Sequence, residues 1–399
     1  MTINYKNIIS QSYYKNKILI KNKSVLKNHL KNIYSSLNVR KDIFHSFSKN
    51  YKFDYNDKKF IKYKKYKNIV VIGMGGSILG SEAIYFFLEN KIKKNFIFLD
   101  NLDDAKKYNQ IKNKNFLFII ISKSGSTLET IINVNLIKKN YLTSNNTIII
   151  STRKNNPLYL FSKKNKILFV EHKDYISGRF SILSEVGILP AFLMGLNIKE
   201  FRKKILSHFN SKKKLFLIDS VSKISQIYLT KKINSIVFLN YCPQLNKFLY
   251  WCQQLIAESL GKKGKGLMPI ISEAPKDHHS LLQLYLDGPK DKLFYIFSSE
   301  FKNNRKILFN HFGKKYDYLK NKNVNRIVNS QKQAFTDILK KKNIPFREII
   351  IKKADEQILG ELFSYFIIET VLISKLINVN PYDQPAVESV KILAKKYLS

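Results

Sequence analysis

Nine short apolar runs, dominated by Ile, Val and Phe, are set at intervals long enough to hold a helix, and this spacing constrains the fold more than any other feature. They lie at 68–72, 96–99, 116–121, 147–150 and 167–170, then at 235–239, 267–271, 292–297 and 346–351. Strand-length runs alternating with helix-length segments predict parallel, doubly wound α/β sheets. A helical patch at 181–207 interrupts the alternation, so the chain reads as two successive α/β domains. We expect an N-terminal helical segment at 1–65, a first α/β domain at 66–200, a second at 201–375 and a C-terminal helix at 376–399. A length of 399 residues and a hydrophobic fraction of 44% suit such a globular chain, which needs no metal or disulfide staple.

The charge is lopsided, with 70 Lys+Arg against 29 Asp+Glu and a net of +41. Only seven of the basic residues are arginines, at 40, 153, 179, 202, 305, 326 and 347. Nucleic-acid readers lean on the arginine fork, whereas here lysine is spread along the whole chain among Asn, Ile, Tyr and Phe, the residues of A/T-rich codons. Compositional drift accounts for that pattern, so no specific nucleic acid is expected. The lysine field still favours small anionic substrates. The two cysteines, Cys242 and Cys252, exclude a disulfide scaffold and a cysteine-based zinc site. The first residues lack the apolar run of a signal peptide. The most apolar long stretch, 358–377, carries Glu361, Glu369 and Lys375, so it reads as a buried helix rather than a membrane span. A cytoplasmic protein with no membrane partner is expected.

Two loops have the composition of anion sites. Gly73-Met-Gly75-Gly76-Ser77-Ile-Leu-Gly80 follows the first run and opens an apolar helix, where glycines let backbone amides approach an anion. It is no P-loop, which needs Gly-Lys-Ser/Thr, and the dinucleotide pattern needs Gly at position 78, which is Ile78. A ribose-binding acid at Asp100 keeps a dinucleotide reading open, and a plain tight turn is a further alternative. The second loop is Ser122-Lys123-Ser124-Gly125-Ser126-Thr127, after the run 116–121. Four hydroxyls in six residues exceed what a helix N-cap requires. They sit at the strand's C-terminal end, where open α/β sheets bind ligands.

Four further segments have candidate chemistry. In Ser177-Gly178-Arg179-Phe180-Ser181 an arginine follows glycine and is placed to face a developing negative charge, or simply the solvent. The helix 245–260 buries Leu245, Phe248, Leu249, Cys252, Leu255 and Ile256, with Trp251, Gln254 and Glu258 on another face. Glu258 falls in its last turn, against the unfavourable end of the dipole, which suits a general base as well as a solvated glutamate. Asp277-His278-His279-Ser280 holds adjacent histidines that point ~100° apart on a helix, so one catalytic and one structural histidine is more plausible than a shared metal site. Finally, Asn380-Pro381-Tyr382-Asp383-Gln384-Pro385 opens a terminal helix expected to turn Val387, Val390, Leu393 and Ala394 inward, with Lys391 between them.

Together these segments resemble the glucose-6-phosphate isomerase family, from about residue 66 to the C-terminus. The resemblance is carried by Val71-Ile-Gly-Met-Gly-Gly-Ser-Ile-Leu-Gly80, Ser122-Lys-Ser-Gly-Ser-Thr-Leu-Glu-Thr130, Gly178-Arg-Phe-Ser181, the stretch 254–261, His279-Ser-Leu-Leu-Gln-Leu284 and Asp383-Gln-Pro-Ala-Val-Glu-Ser-Val-Lys391. It implies two sugar-isomerase (SIS) domains and a reversible aldose–ketose isomerisation through an enediolate. It further implies sugar and phosphate contacts at Gly76, Ser77, Ser122, Lys123, Ser124, Ser126 and Thr127. Arg179 is implied beside the enediolate, Gln254 as a substrate contact and Glu258 as the base between C2 and C1. His279 and Lys391 are implied in ring opening. The implied partners are a sugar phosphate and a second copy of the chain, which supplies His279 across the interface. No metal and no cofactor are implied. The chain departs from the family pattern at Ser177, where glycine is usual, and at Leu260, where asparagine is common. A bifunctional phosphoglucose/phosphomannose isomerase and a non-catalytic sugar-phosphate sensor are the alternatives.

Overall fold

A computed structural model describes residues 3–55, 57–102, 105–112, 115–300 and 305–398. All nine expected runs are strands, and a tenth precedes them. We number them β1 Ile3–Ile8, β2 Asn68–Ile72, β3 Asn95–Leu99, β4 Phe116–Ile121, β5 Thr147–Ser151, β6 Leu168–Glu171, β7 Ser235–Asn240, β8 Met268–Glu273, β9 Lys292–Ser299 and β10 Phe346–Ile351. One five-stranded sheet runs β3-β2-β4-β5-β6 and is wholly parallel. The other runs β1-β10-β9-β7-β8 and is parallel except for β1.

Side chains alternate across each strand, and both faces of these strands are buried. In the first sheet Ile69, Val71, Leu117, Ile119 and Ile121 enter the large common core, while Val70, Ile72, Phe118 and Ile120 enter a separate outer core. The second sheet repeats the division, with Ile236, Phe238, Leu293 and Tyr295 in the common core and Val237, Leu239, Phe294 and Ile296 outside. This explains the continuous apolar runs, since parallel strands covered by helices on both faces need no polar alternation.

The expectation of helices throughout 1–65 is corrected at its start. Ile3–Ile8 pairs antiparallel with β10, with Ile3 opposite Ile351 and Ile8 opposite Phe346. Its Asn-Tyr-Lys-Asn interior gave no apolar run to read, because an edge strand pairs through its backbone. The helix that follows, Asn16–Ser36, lies on Ser211–Thr230, tied by Asn22 Nδ2 to Ser222 O (3.4 Å) and Lys23 to Asp219 (2.5 Å).

The stretch read as a buried helix is one. Glu356–Ile377 is long and apolar enough to cross a membrane, yet nearly all of it is packed inside the protein. Its glutamates are compensated, as buried charges must be. Glu361 Oε1 accepts from Lys213 Nζ at 2.5 Å with His208 Nε2 3.4 Å away, and Glu369 accepts from Arg347 Nη1 at 2.7 Å and from the Tyr365 hydroxyl.

The helix Asn246–Leu260 buries its whole expected stripe. Trp251, at helical spacing from Gln254 and Glu258, is buried edge-on to Phe363, with ring centroids 4.7 Å apart. The terminal helix Pro385–Leu398 also departs from expectation. Val387, Val390 and Leu393 are exposed, Val390 at 69%, because the helix leaves the body after the 380–384 turn.

Arg347 is fully buried, so removing it strands a buried carboxylate. Arg347→Met should cost about 3–5 kcal/mol, read from urea unfolding midpoints. Adding Glu369→Leu should recover most of that loss.

Candidate active site

The first glycine loop is shaped by close backbone approach. Gly75 has φ +52°, and a Cβ there would lie 2.6 Å from Gln254 Nε2. A Cβ on Gly76 would lie 2.2 Å from the carbonyl carbon of Gly178 and 2.5 Å from Arg179 N. No side chain fits either position without moving its neighbour. The loop after β2 therefore lies directly against Gln254 and the turn that bears Arg179, with Ser77 buried beside it.

The hydroxyl loop follows β4, hydrogen-bonded to β2 in the same parallel sheet, so both loops leave one sheet edge. Ser122 Oγ lies 2.8 Å from Thr127 Oγ1, and Ser124 Oγ lies 3.4 Å from it. Ser122 Oγ also accepts from Gly125 N at 3.1 Å, and Ser124 Oγ accepts from Ser126 N at 3.3 Å. Thr127 occupies the N-cap position of the helix Leu128–Asn135, yet its hydroxyl makes no capping bond. The hydroxyls converge on one another instead, which is the geometry of a cup. Lys123 stands half-buried in this loop. Burial lowers its pKa, Asp174 raises it, and the positive charges of Lys154 and Arg179 lower it again.

Asn156 seats the cup, a role that no sequence signal marked. Gly125 has φ +67°, and a Cβ there would lie 1.8 Å from Asn156 Oδ1. Asn156 in turn caps the helix Pro157–Lys164 by accepting from Tyr159 N at 3.0 Å, and donates to Thr152 O at 2.9 Å. Asparagine before proline is a helix-start signal, and the constraint on Gly125 arises only in three dimensions.

Arg179 is buried at the start of the 3₁₀ turn Gly178–Leu183. All five of its N–H donors are used. Nε donates to Ser259 Oγ at 2.9 Å. Nη1 donates to Glu258 Oε2 at 2.9 Å and Gln384 Oε1 at 2.6 Å. Nη2 donates to Pro381 O at 2.6 Å and Asp383 O at 2.9 Å. Burial lowers the Arg179 pKa, while Glu258 and Asp383 pull it back up. Glu258, with 28% of its side chain exposed, sits in the last turn of its helix as expected. Its other oxygen, Oε1, accepts from Gln254 Nε2 at 2.9 Å. A half-open carboxylate, oriented on both oxygens beside a buried cation, is equipped to move a proton and face the charge that results. Ser259, Gln384 and the carbonyls of Pro381 and Asp383 had no role assigned from sequence.

The family model described as "Phosphoglucose isomerase" matches residues 18–399. The chain belongs to the phosphoglucose isomerase family. It is 33% identical over 352 residues to a glucose-6-phosphate isomerase of Methanocaldococcus jannaschii, covering 85% of this chain and 86% of that one. It is likewise 33% identical over 359 residues to a glucose-6-phosphate isomerase of Campylobacter jejuni, covering 85% and 87%. Its fold matches the crystal structure of a glucose-6-phosphate isomerase from Chlamydia trachomatis with a TM-score of 0.80 at 18% identity, over 100% of this chain and 88% of that one. The architecture is that of this family, two SIS-type doubly wound parallel sheets with flanking helices.

Two of the residues implied by the family resemblance stand apart. His279 is exposed just beyond β8, in the other sheet, while His278 beside it is anchored, its Nε2 2.7 Å from the Tyr241 hydroxyl and its ring against Phe335. Burial lowers the His278 pKa and His279 lowers it further, against Asp277. Lys391 lies on the exposed terminal helix, 3.5 Å from Glu388. Among the described residues, neither His279 nor Lys391 bonds to Arg179, Glu258 or Gln254. From the C-terminal segment 376–399, Gln384 and the carbonyls of Pro381 and Asp383 reach Arg179, whereas Lys391 does not among the described residues. No three His, Cys, Asp or Glu among the described residues group to hold a metal.

Gly125→Ala should lose about 1–2 kcal/mol to the left-handed backbone and more to the clash with Asn156. Asn156→Ala in the same background should recover the clash, less the ~0.5–2 kcal/mol that loss of its own helix cap costs. Urea midpoints of the single and double variants check this.

Proposed function

We propose that the chain interconverts D-glucose 6-phosphate and D-fructose 6-phosphate through an enediolate, serving glycolysis and gluconeogenesis, with Glu258 as the base. The observation that carries this is the contact of Glu258 with the buried Arg179, steadied by Gln254, in a member of this family. Ser122, Lys123, Ser124, Ser126 and Thr127 hold the phosphate, with Gly76 and Ser77 on the sugar side. The remote phosphate supplies binding energy that orients the reacting carbons.

In the open-chain aldose, Glu258 takes the C2 proton. The C2–H electrons form the C1=C2 bond of the enediolate, and the former carbonyl oxygen takes the negative charge. The 2-hydroxyl proton passes to O1, and Glu258 returns its proton to C1, leaving a carbonyl at C2. Atoms and electrons balance within the substrate. Arg179 faces the enediolate charge, and Gln254 keeps the carboxylate aimed.

His279 and Lys391 open the ring in this reading. The exposure of His279 and of the whole terminal helix supports a homodimer in which the histidine enters the neighbouring subunit's site. A cytoplasmic location goes with the reading, supported by the burial of the most apolar helix.

Glu258→Gln keeps size and loses basicity. In a coupled assay from fructose 6-phosphate, kcat should fall by roughly 10²–10⁴ with KM little changed. Retention of most turnover removes Glu258 as the base. Mannose 6-phosphate in the same assay tells a strict glucose enzyme from a bifunctional one.

The histidines separate by role. His279→Ala should cripple conversion of the cyclic sugar while sparing an acyclic aldose phosphate. His278→Ala should lose much less, about what the Tyr241 bond and Phe335 contact are worth in packing. Steady-state rates on both substrates check this, and a reversed pattern between the two variants refutes the assignment.

A further inference from the structure

The turn that follows the Glu258 helix grips the chain on the far side of Arg179. After Leu260 and Gly261, residues 262–265 fold into a tight turn, closed by Lys265 N donating to Lys262 O at 3.0 Å and by a bridge between the two. Its central residues, Lys263 (φ +55°) and Gly264 (φ +66°), are both left-handed, the signature of a type I′ turn. The turn sends two ammonium groups to one target. Lys265 Nζ donates to Ile377 O at 2.7 Å, at the end of the core helix. Lys262 Nζ donates to Asn380 O, to Asp383 O at 2.6 Å and to Asp383 Oδ1 at 2.7 Å.

A lysine ammonium has three protons, and Lys262 spends all three on one short segment. Its side chain is only 12% exposed, in a chain whose lysines are mostly solvated. The segment is braced internally as well. Asn380 Oδ1 accepts from Tyr382 N at 3.0 Å, and Asn380 Nδ2 donates to Asp383 Oδ2 at 3.0 Å. The hydrogen bond from Lys262, with its charge, pulls the Asp383 carboxyl below its usual range.

The same Asp383 carbonyl that accepts from Lys262 accepts from Arg179 Nη2, and Pro381 O accepts the other Nη2 proton. The chain of contact therefore runs from Lys262, through the 380–383 turn, to the plane of the guanidinium that touches Glu258. We propose that Lys262 is a positioning residue for the isomerisation: it fixes the carbonyls that fix Arg179, and so sets where the positive charge stands relative to the base and the enediolate. Lys265 anchors the same segment one turn earlier. The proposal rests on the reading of Arg179 given above.

The test compares wild type with Lys262→Met, which keeps the aliphatic stem and removes the ammonium. A displacement of about 1 Å at the reacting centre is worth up to 10²-fold, so kcat for fructose 6-phosphate should fall about 10- to 100-fold. KM should stay within about 3-fold, because the phosphate cup is untouched. Amide exchange across 379–384 should quicken, and Lys262→Arg should restore part of the rate. Should Lys262→Met fail to fold, Asp383→Ala removes the carboxylate anchor from a half-exposed position, and the same kcat-weighted loss is expected at smaller size. Quickened exchange with an unchanged kcat overturns the proposal, as does a loss confined to KM. No turnover by folded wild type overturns the isomerase reading instead, and exchange across 379–384 still decides whether Lys262 holds the turn.

Discussion

A guanidinium buried away from water has to find an acceptor for every proton, and in this protein that requirement draws three distant parts of the chain to one point. Arg179 follows the strands of the first sheet. Glu258 and Ser259 end a helix that follows β7 of the second. Pro381, Asp383 and Gln384 follow the core helix near the C-terminus. Leaving one of these donors unpaired in the interior costs about 1–3 kcal/mol or more for a charged group. The convergence is therefore a condition of burying the arginine at all, and the two sheets have to be in register for it to form.

The glycines serve the same convergence. Gly76 lets the first-sheet loop touch the Gly178–Arg179 backbone, and Gly75 makes room for the Gln254 amide. The first is a contact of backbone with backbone, which a methyl group is enough to prevent, and the second is a contact with a side chain that a methyl group would displace. The loop that could be read as a dinucleotide turn is instead the wall against which Arg179 and Gln254 are set. The hydroxyl cup on the neighbouring strand is independent of that wall, held by Asn156 rather than by Arg179.

What the sequence made legible follows from range. The nine strands were readable because strands buried on both faces carry uninterrupted apolar runs, and the stripe of the Glu258 helix because 3.6-residue periodicity is local. The motif residues around Glu258, Gln254 and the hydroxyls were readable as chemistry for the same reason. β1 was not, because an edge strand with Asn-Tyr-Lys-Asn at its centre is specified by its partner's backbone. The burial of Trp251 was not readable because its cover, Phe363, lies more than a hundred residues away in the chain. The terminal helix has an amphipathic pattern, but among the described residues no element covers it, so the pattern promised a burial that they do not supply. Of the five partners of Arg179, Glu258 was readable as chemistry, while the carbonyls of Pro381 and Asp383 were not, because main-chain acceptors leave no trace in residue type.

The full occupancy of Arg179 bears on how the proposed reaction stays balanced. Before proton transfer the negative charge next to the arginine is on Glu258, bonded to Nη1 at 2.9 Å. When the carboxylate takes the C2 proton it becomes neutral, and the enediolate acquires the charge it has lost. The ion pair is thus handed from protein to substrate, and the buried cation is never left without an anion. A guanidinium is attracted more strongly to an anionic oxygen than to a neutral carboxyl, so in the proposed reaction the Nη1 proton shared with Glu258 turns to the new oxyanion. An arginine held rigidly by the 381–384 carbonyls makes that exchange at one proton without reorienting the other four. In the proposed reaction, the anchoring that looks structural is preorganisation for the charge that develops.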